Sequence, residues 1–241
     1  MSIKRLRVFA GPNGSGKTTI LKKLSSEIPF GVYVNADDIE KSLKETGALL
    51  FDNYQLIIEE QKLKIFFKNS NFSPIKRNEH NLWEKLKIEN NTLRILCEVD
   101  SYLAADLADF IRISLLEDNQ SFTFETVMSH DSKINFLEKA KQNNYRIYLY
   151  YSATEDPIIN INRVRNRVAL NGHFVNEEKI RDRYFKSLQL LKKAIKISDR
   201  AYIWDNSSIA AVLIAEITNG SDIELTDKPN TPTWFINYVL D

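Results

Sequence analysis

Between residues 180 and 195 the apolar positions Ile180, Tyr184, Leu188, Leu191 and Ile195 fall 4, 4, 3 and 4 apart, which lines up one face of an α-helix. Elsewhere the apolar residues gather in short β-branched and aromatic runs. KRLRVFA (4–10), VYVN (32–35), FTFE (122–125), YRIYLYY (145–151) and AYIW (201–204) predict five strands. Helical stretches are expected between them, at 18–27, 38–50 and 98–117. Two more follow, one from Ser129 or Asp131 through Ile134, Leu137 and Ala140, the other opened by Glu155-Asp156-Pro157. Strands alternating with helices predict the α/β class, a parallel sheet with helices on both faces. Residues 212–218 and 222–225, joined by Asn219-Gly220, predict a C-terminal hairpin with a two-residue turn. Residues 52–97 break the alternation. They show no strand pattern and hold six asparagines between Asn69 and Asn91. They are expected to be a helical insertion, with a short helix carrying Trp83, inside one domain spanning 1–241.

Glycine is scarce, seven residues in 241, yet Gly11, Gly14 and Gly16 lie within six positions. They belong to Gly11-Pro12-Asn13-Gly14-Ser15-Gly16-Lys17-Thr18-Thr19, which satisfies G-x-x-x-x-G-K-[ST] between a strand and a helix. Glycines let consecutive backbone N–H groups curl around a phosphate, and the helix N-terminus adds positive potential. Lys17 then reaches the β- and γ-phosphates and the Thr18 hydroxyl ligates Mg²⁺. The fold expectation narrows to a P-loop NTPase-type parallel sheet that binds ATP or GTP.

In open α/β sheets the carboxyl ends of strands face the ligand crevice. Asn35-Ala36-Asp37-Asp38 follows the second strand. Asp37 is assigned as general base or, through water, as a Mg²⁺ ligand, and Asp38 as the cap of the next helix. Glu125-Thr126 ends the third strand, where a carboxylate either ligates the metal or orients the substrate. Asp205-Asn206 ends the fifth and is expected to form an Asx turn. Arg163 and Arg167 are four apart on one helix, a repulsive spacing unless an anion lies between them. With Arg181 and Arg183 beyond Asn171-Gly172-His173, they predict a lid that brings guanidinium groups to a transferring phosphoryl. A solvated basic face and a nucleic-acid patch are the competing readings.

The remaining composition mainly excludes. Lys and Arg total 33 against 32 Asp and Glu, a net charge of +1, so no global field favours nucleic acid or an anionic membrane. One cysteine and three histidines make neither a disulfide nor a zinc framework. The longest apolar run, residues 209–215, has seven residues, against the ~18 that suggest a membrane span. A cytoplasmic protein without a membrane partner is expected.

In order and spacing, GPNGSGKTT, VNADDI, FTFETVMS, NRVRNRVALNGHFVNEEKIRDRYFKSL and AYIWDNS resemble the zeta-toxin family of P-loop kinases, in particular its compact chromosomal members. The resemblance covers residues 4–50 and 98–218. It implies phosphoryl transfer from ATP or GTP to a hydroxyl of a nucleotide sugar such as UDP-N-acetylglucosamine, and a small antitoxin protein as partner. Carried residue by residue, it implies Lys17 and Thr18 on phosphates and Mg²⁺, and Asp37 as base. Asn35, Glu125 and Thr126 would lie on the sugar nucleotide. Arg163 would act on the γ-phosphoryl with Arg167, His173 or Arg181. Where the toxins read E-G-T, this chain reads Glu125-Thr126 without the glycine. The alternatives are a kinase of nucleosides or nucleic-acid ends, and a non-catalytic nucleotide switch.

Overall fold

The computed structural model describes residues 3–170 and 174–241. In chain order the elements are β1 (Arg5–Ala10), α1 (Lys17–Leu24), β2 (Val32–Val34), α2 (Ala36–Thr46), β3 (Ala48–Leu50), α3 (Glu60–Asn69), α4 (Ser73–Lys76), β4 (Leu86–Glu89), β5 (Thr92–Ile95) and α5 (Ser101–Glu117). Then come β6 (Phe122–Thr126), α6 (Ser132–Gln142), β7 (Arg146–Ala153), α7 (Pro157–Ala169), α8 (Glu177–Ile197), β8 (Arg200–Asp205), β9 (Val212–Thr218), β10 (Asp222–Leu225) and α9 (Thr233–Phe235). Two compact units divide the chain, 1–30 with 123–241, and 31–122.

In the first unit, six strands of the main sheet stand in the order β10-β9-β8-β7-β1-β6. The α/β class holds: β1 and β8 both pair parallel to β7, while β9 and β10 add an antiparallel edge. α1 packs by Ile20 on a strip of stacked rings, Phe9 on Tyr150 at 4.6 Å and Tyr150 on Tyr202 at 5.3 Å, with Trp204 beside them. The apolar face foreseen for residues 180–195 is the buried face of α8. Tyr151 and Ser187 join β7 to α8 through their hydroxyls at 2.9 Å. Thr218 pairs with Asp222, so the hairpin loop is 219–221, one residue longer than the expected turn. The tail folds as α9, continued by a π-helical turn over Ile236–Leu240, with Trp234 and Phe235 buried.

The second unit departs further from the sequence expectation. The helix expected over 38–50 ends at Thr46, where Gly47 takes φ 68° as its C-cap, and Ala48–Leu50 is a strand. Residues 52–97 hold α3, α4 and a 3₁₀ turn carrying Trp83, but also two strands. β4 and β5 form a hairpin across Asn90-Asn91, and β3 extends it into an antiparallel β3-β5-β4 sheet. α5 starts at an Asp100 cap that accepts from the N–H groups of Tyr102 and Leu103. On α5, Asp106 is 3% exposed and its Oδ2 accepts from the Ser70 hydroxyl at 2.7 Å, the Ser73 N–H at 3.0 Å and the Ser73 hydroxyl. Six residues on, the buried Arg112 pairs with Asp109, and burial pulls the guanidinium pKa downward. Among the described residues no helix is long and apolar enough to cross a membrane.

Candidate active site

β1 delivers the chain into the loop 11–16, and α1 begins at Lys17 with Gly16 at φ 93° as its N-cap. Two glycines are dictated by what lies behind them. A Cβ on Gly14 would come within 2.6 Å of the Asn160 carbonyl of α7, and one on Gly16 within 2.1 Å of the Asn206 carboxamide. Both also have positive φ.

The outer side of the loop is held by buried side chains. The Asn13 carbonyl accepts from Asn160 Nδ2 at 2.6 Å. The Ser15 carbonyl accepts from Asn206 Nδ2 at 2.8 Å and from the Ser152 hydroxyl at 2.6 Å. Asn160 is held in turn by the Thr154 hydroxyl, which donates to its Oδ1. The Tyr184 hydroxyl of α8 donates to the Thr154 carbonyl at 2.6 Å. Asn206 thus differs from the expectation. Asp205 alone makes the Asx turn, accepting from the Ser207 N–H and hydroxyl, and it also accepts from the Trp234 indole at 2.9 Å. Asn206 reaches into the loop. Ser152 and Asn160 escaped the sequence reading and Asn206 was read only as part of a turn, although Ser152 and Asn206 lie at the carboxyl ends of β7 and β8. The rule that singled out Glu125 points there too.

On the inner side, Lys17 Nζ donates to the carbonyls of Gly11 at 2.9 Å and Pro12 at 3.0 Å. The Thr18 hydroxyl donates to both carboxylate oxygens of Glu125, at 3.0 and 3.3 Å. A hydroxyl and a carboxylate from β6 therefore meet where the motif places Mg²⁺. Oxygen donors of this kind fit a hard divalent cation that keeps several waters. Of the two roles open to Glu125, the geometry favours the metal side. Thr126 turns the chain instead, its hydroxyl accepting from the Met128 N–H. Thr19 is exposed, and its N–H closes the first turn of α1 on the Gly16 carbonyl. Among the described residues, no group of three or more His, Cys, Asp or Glu side chains is placed to hold a metal.

The arginine block is partly tied down. α7 is capped by Asp156 and packs Ile161, Val164 and Val168 on Val175 and Ile180. Arg163 donates to the Ser208 carbonyl at 3.0 Å. Arg165 pairs with Glu177 at the start of α8. Arg167 and Arg181 are exposed. Asn160, Arg163 and Arg167 lie three and four residues apart, so the helix face that meets the loop continues as a row of guanidinium groups. His173 lies outside the described residues.

In the second unit, the α2 cap expected at Asp38 belongs to Asn35, whose Oδ1 accepts from the Asp37 N–H at 2.9 Å. Asn35 Nδ2 donates to the Tyr33 hydroxyl at 2.9 Å. Asn35, expected on the substrate, therefore holds local structure with both ends of its carboxamide. The Asp37 side chain is not the cap and is exposed.

Comparison with known proteins supports the fold. The chain superposes on AvrRxo1-ORF1:AvrRxo1-ORF2, solved with sulphate ions, at a TM-score of 0.53 and 12% identity, over 94% of this chain and 62% of that one. A second match is to the PezAT chromosomal toxin–antitoxin system of Streptococcus pneumoniae, at a TM-score of 0.51 and 12% identity, over all of this chain and 80% of that one. An uncharacterized protein of Haemophilus influenzae is 33% identical over 63 residues, 26% of this chain and 45% of that protein. The chain thus matches less than half the length of that curated relative and less than two thirds of the AvrRxo1 chain. The expected P-loop NTPase-type fold is borne out. The AAA domain model matches residues 4–206, from the first strand to the carboxamide that grips the loop, and this chain belongs to the AAA domain family.

Proposed function

We propose that this protein is a P-loop phosphotransferase that moves the γ-phosphoryl of ATP or GTP to a hydroxyl of a small molecule, a nucleotide sugar such as UDP-N-acetylglucosamine being the favoured acceptor. The observation that carries the reading is a complete phosphate loop whose Lys17 lies against the Gly11 and Pro12 carbonyls and whose Thr18 hydroxyl meets the Glu125 carboxylate. When nucleotide enters, Lys17 exchanges two backbone carbonyls for β- and γ-phosphate oxygens. Thr18 and Glu125 would hold Mg²⁺, which neutralises charge on the phosphates. Asp37 takes the proton of the attacking hydroxyl as that oxygen bonds to the γ-phosphorus and the bond to the β-phosphate bridging oxygen breaks. Arg163, with Arg167 or Arg181, stabilises charge on the transferring group. ATP is present in a second AvrRxo1-ORF1:-ORF2 structure of the same fold, at a TM-score of 0.52. The PezAT match adds a small antitoxin as a candidate protein partner.

The test is incubation with ATP or GTP, Mg²⁺ and a panel of UDP-sugars, nucleosides and oligonucleotides, read by mass spectrometry. A phosphate gain on a UDP-sugar supports the reading. Gain only on an oligonucleotide end would replace the acceptor class, and nucleotide hydrolysis with no acceptor gaining mass would refute transfer.

A further inference from the structure

A phosphate-binding loop must solve two problems at once. Its N–H groups have to converge on the anion, and the carbonyls of the same peptide planes then point back into the protein. Because a trans peptide is planar, C=O and N–H point in opposite directions, so fixing one aims the other. The carbonyl of Asn13 shares its plane with the N–H of Gly14, and the carbonyl of Ser15 shares its plane with the N–H of Gly16.

Both carbonyls have dedicated partners. Asn160, wholly buried, donates to Asn13 O. Asn206, 8% exposed, and Ser152 donate together to Ser15 O. The Asn160 carboxamide has only one orientation that works. A carbonyl can only accept, so Nδ2 must face Asn13, which leaves Oδ1 for the Thr154 hydroxyl. These side chains are separated from the loop by 137 to 191 residues of sequence, yet each addresses one of two peptide planes, the one joining Asn13 to Gly14 or the one joining Ser15 to Gly16.

We infer that Asn160, and Asn206 together with Ser152, are positioning residues that aim the Gly14 and Gly16 N–H groups at the bound phosphate, each side responsible for one N–H. The inference rests on the loop being a phosphate site, and it concerns residues that touch no nucleotide themselves. It also sets an order of importance. Asn160 acts alone on its plane, whereas Asn206 and Ser152 back each other up. Asn160 further sits three residues before Arg163, so it keeps the arginine row of α7 in register with the loop.

The chain's seven glycines make the test direct. Protein labelled with ¹⁵N-glycine gives few enough amide signals to follow each one during titration with inorganic pyrophosphate. In the unmodified chain the Gly14 and Gly16 signals should both move. In Asn160→Asp, which keeps the shape and the Thr154 bond but turns an oxygen toward Asn13 O, the Gly14 response should collapse while Gly16 still moves. Pyrophosphate affinity should then fall about tenfold. Ser152→Ala/Asn206→Ala should do the reverse, and Asn206→Ala alone should weaken the Gly16 response by less. That single variant leaves one donor on Ser15 O and decides the question if the others do not fold. Folded variants in which both signals respond as in the unmodified chain would overturn the inference. Signals that ignore pyrophosphate in the unmodified chain would overturn the phosphate-site reading as well, which separates the two failures.

Discussion

Buried hydrogen bonds serve opposite ends in the two units. Around the phosphate loop, donors from β7, α7 and the residue after β8 converge on backbone carbonyls, and in a planar trans peptide the N–H of each plane points the opposite way. In the 31–122 unit, two serine hydroxyls and one N–H converge on the Asp106 carboxylate, and the group they satisfy is the chain's own. On the proposed function, the first arrangement serves a ligand. The second ties the α3–α4 connection to α5 and needs no ligand. Satisfying a buried polar group is therefore not by itself a sign of function. What marks the first unit is that the satisfied groups have a second side.

Substitutions should accordingly separate activity from stability. The largest effect belongs to Lys17→Ala: turnover should fall by roughly 10²–10³-fold, as when one preorganised charge-stabilising donor is lost, while the melting temperature changes little. Kinetics beside a thermal melt checks this, and near-normal turnover would break the comparison at its strongest point. Asp37→Asn comes next. Turnover should fall by about 10²-fold with ATP affinity held, the scale of a lost general base. If Asp38→Asn is the damaging change and Asp37→Asn is silent, the base has been misassigned. Asp106→Ala should act only on stability. It strands the donors of Ser70 and Ser73, costing about 2 kcal/mol and several degrees in melting temperature, and ATP affinity measured below the transition should not move. Arg163→Ala should lower turnover by about tenfold and nucleotide affinity by less, because a charged donor matters most where charge develops. A uniform, salt-sensitive loss of oligonucleotide binding across Arg163, Arg167 and Arg181 variants would instead favour a nucleic-acid patch.

The loop and most of the first unit were legible because their signals are local. Nine consecutive residues specify the loop, and the 4, 4, 3, 4 spacing specifies α8. The carboxyl-end rule found Glu125. The grips on Ser15 O and Asn13 O were hidden, since no local pattern announces a bond across 191 residues. The β4–β5 hairpin was hidden for another reason. Leu86 and Ile88 pair with Ile95 and Leu93, but the turn is Asn90-Asn91, both at positive φ, without the glycine that usually marks it. Of the eight non-glycine residues at positive φ among those described, six are asparagines. Asparagine tolerates the left-handed region, and in a glycine-poor chain it takes over turn positions. The asparagine-rich stretch that suggested a helical insertion without strands therefore contains tight corners between ordered elements.

Trp234 gives the site a built-in optical reporter. Its indole donates to Asp205, whose neighbour Asn206 grips the loop, and Trp204 precedes Asp205 on β8. Of the chain's three tryptophans, only Trp83 lies in the other unit. In a Trp83→Phe background, with excitation that spares the tyrosines, the tryptophan emission of the chain comes from two indoles, Trp204 beside Asp205 in sequence and Trp234 bonded to it. Nucleotide arrival at the loop can then be followed without a dye, an added label or a coupled enzyme, before any acceptor has been identified.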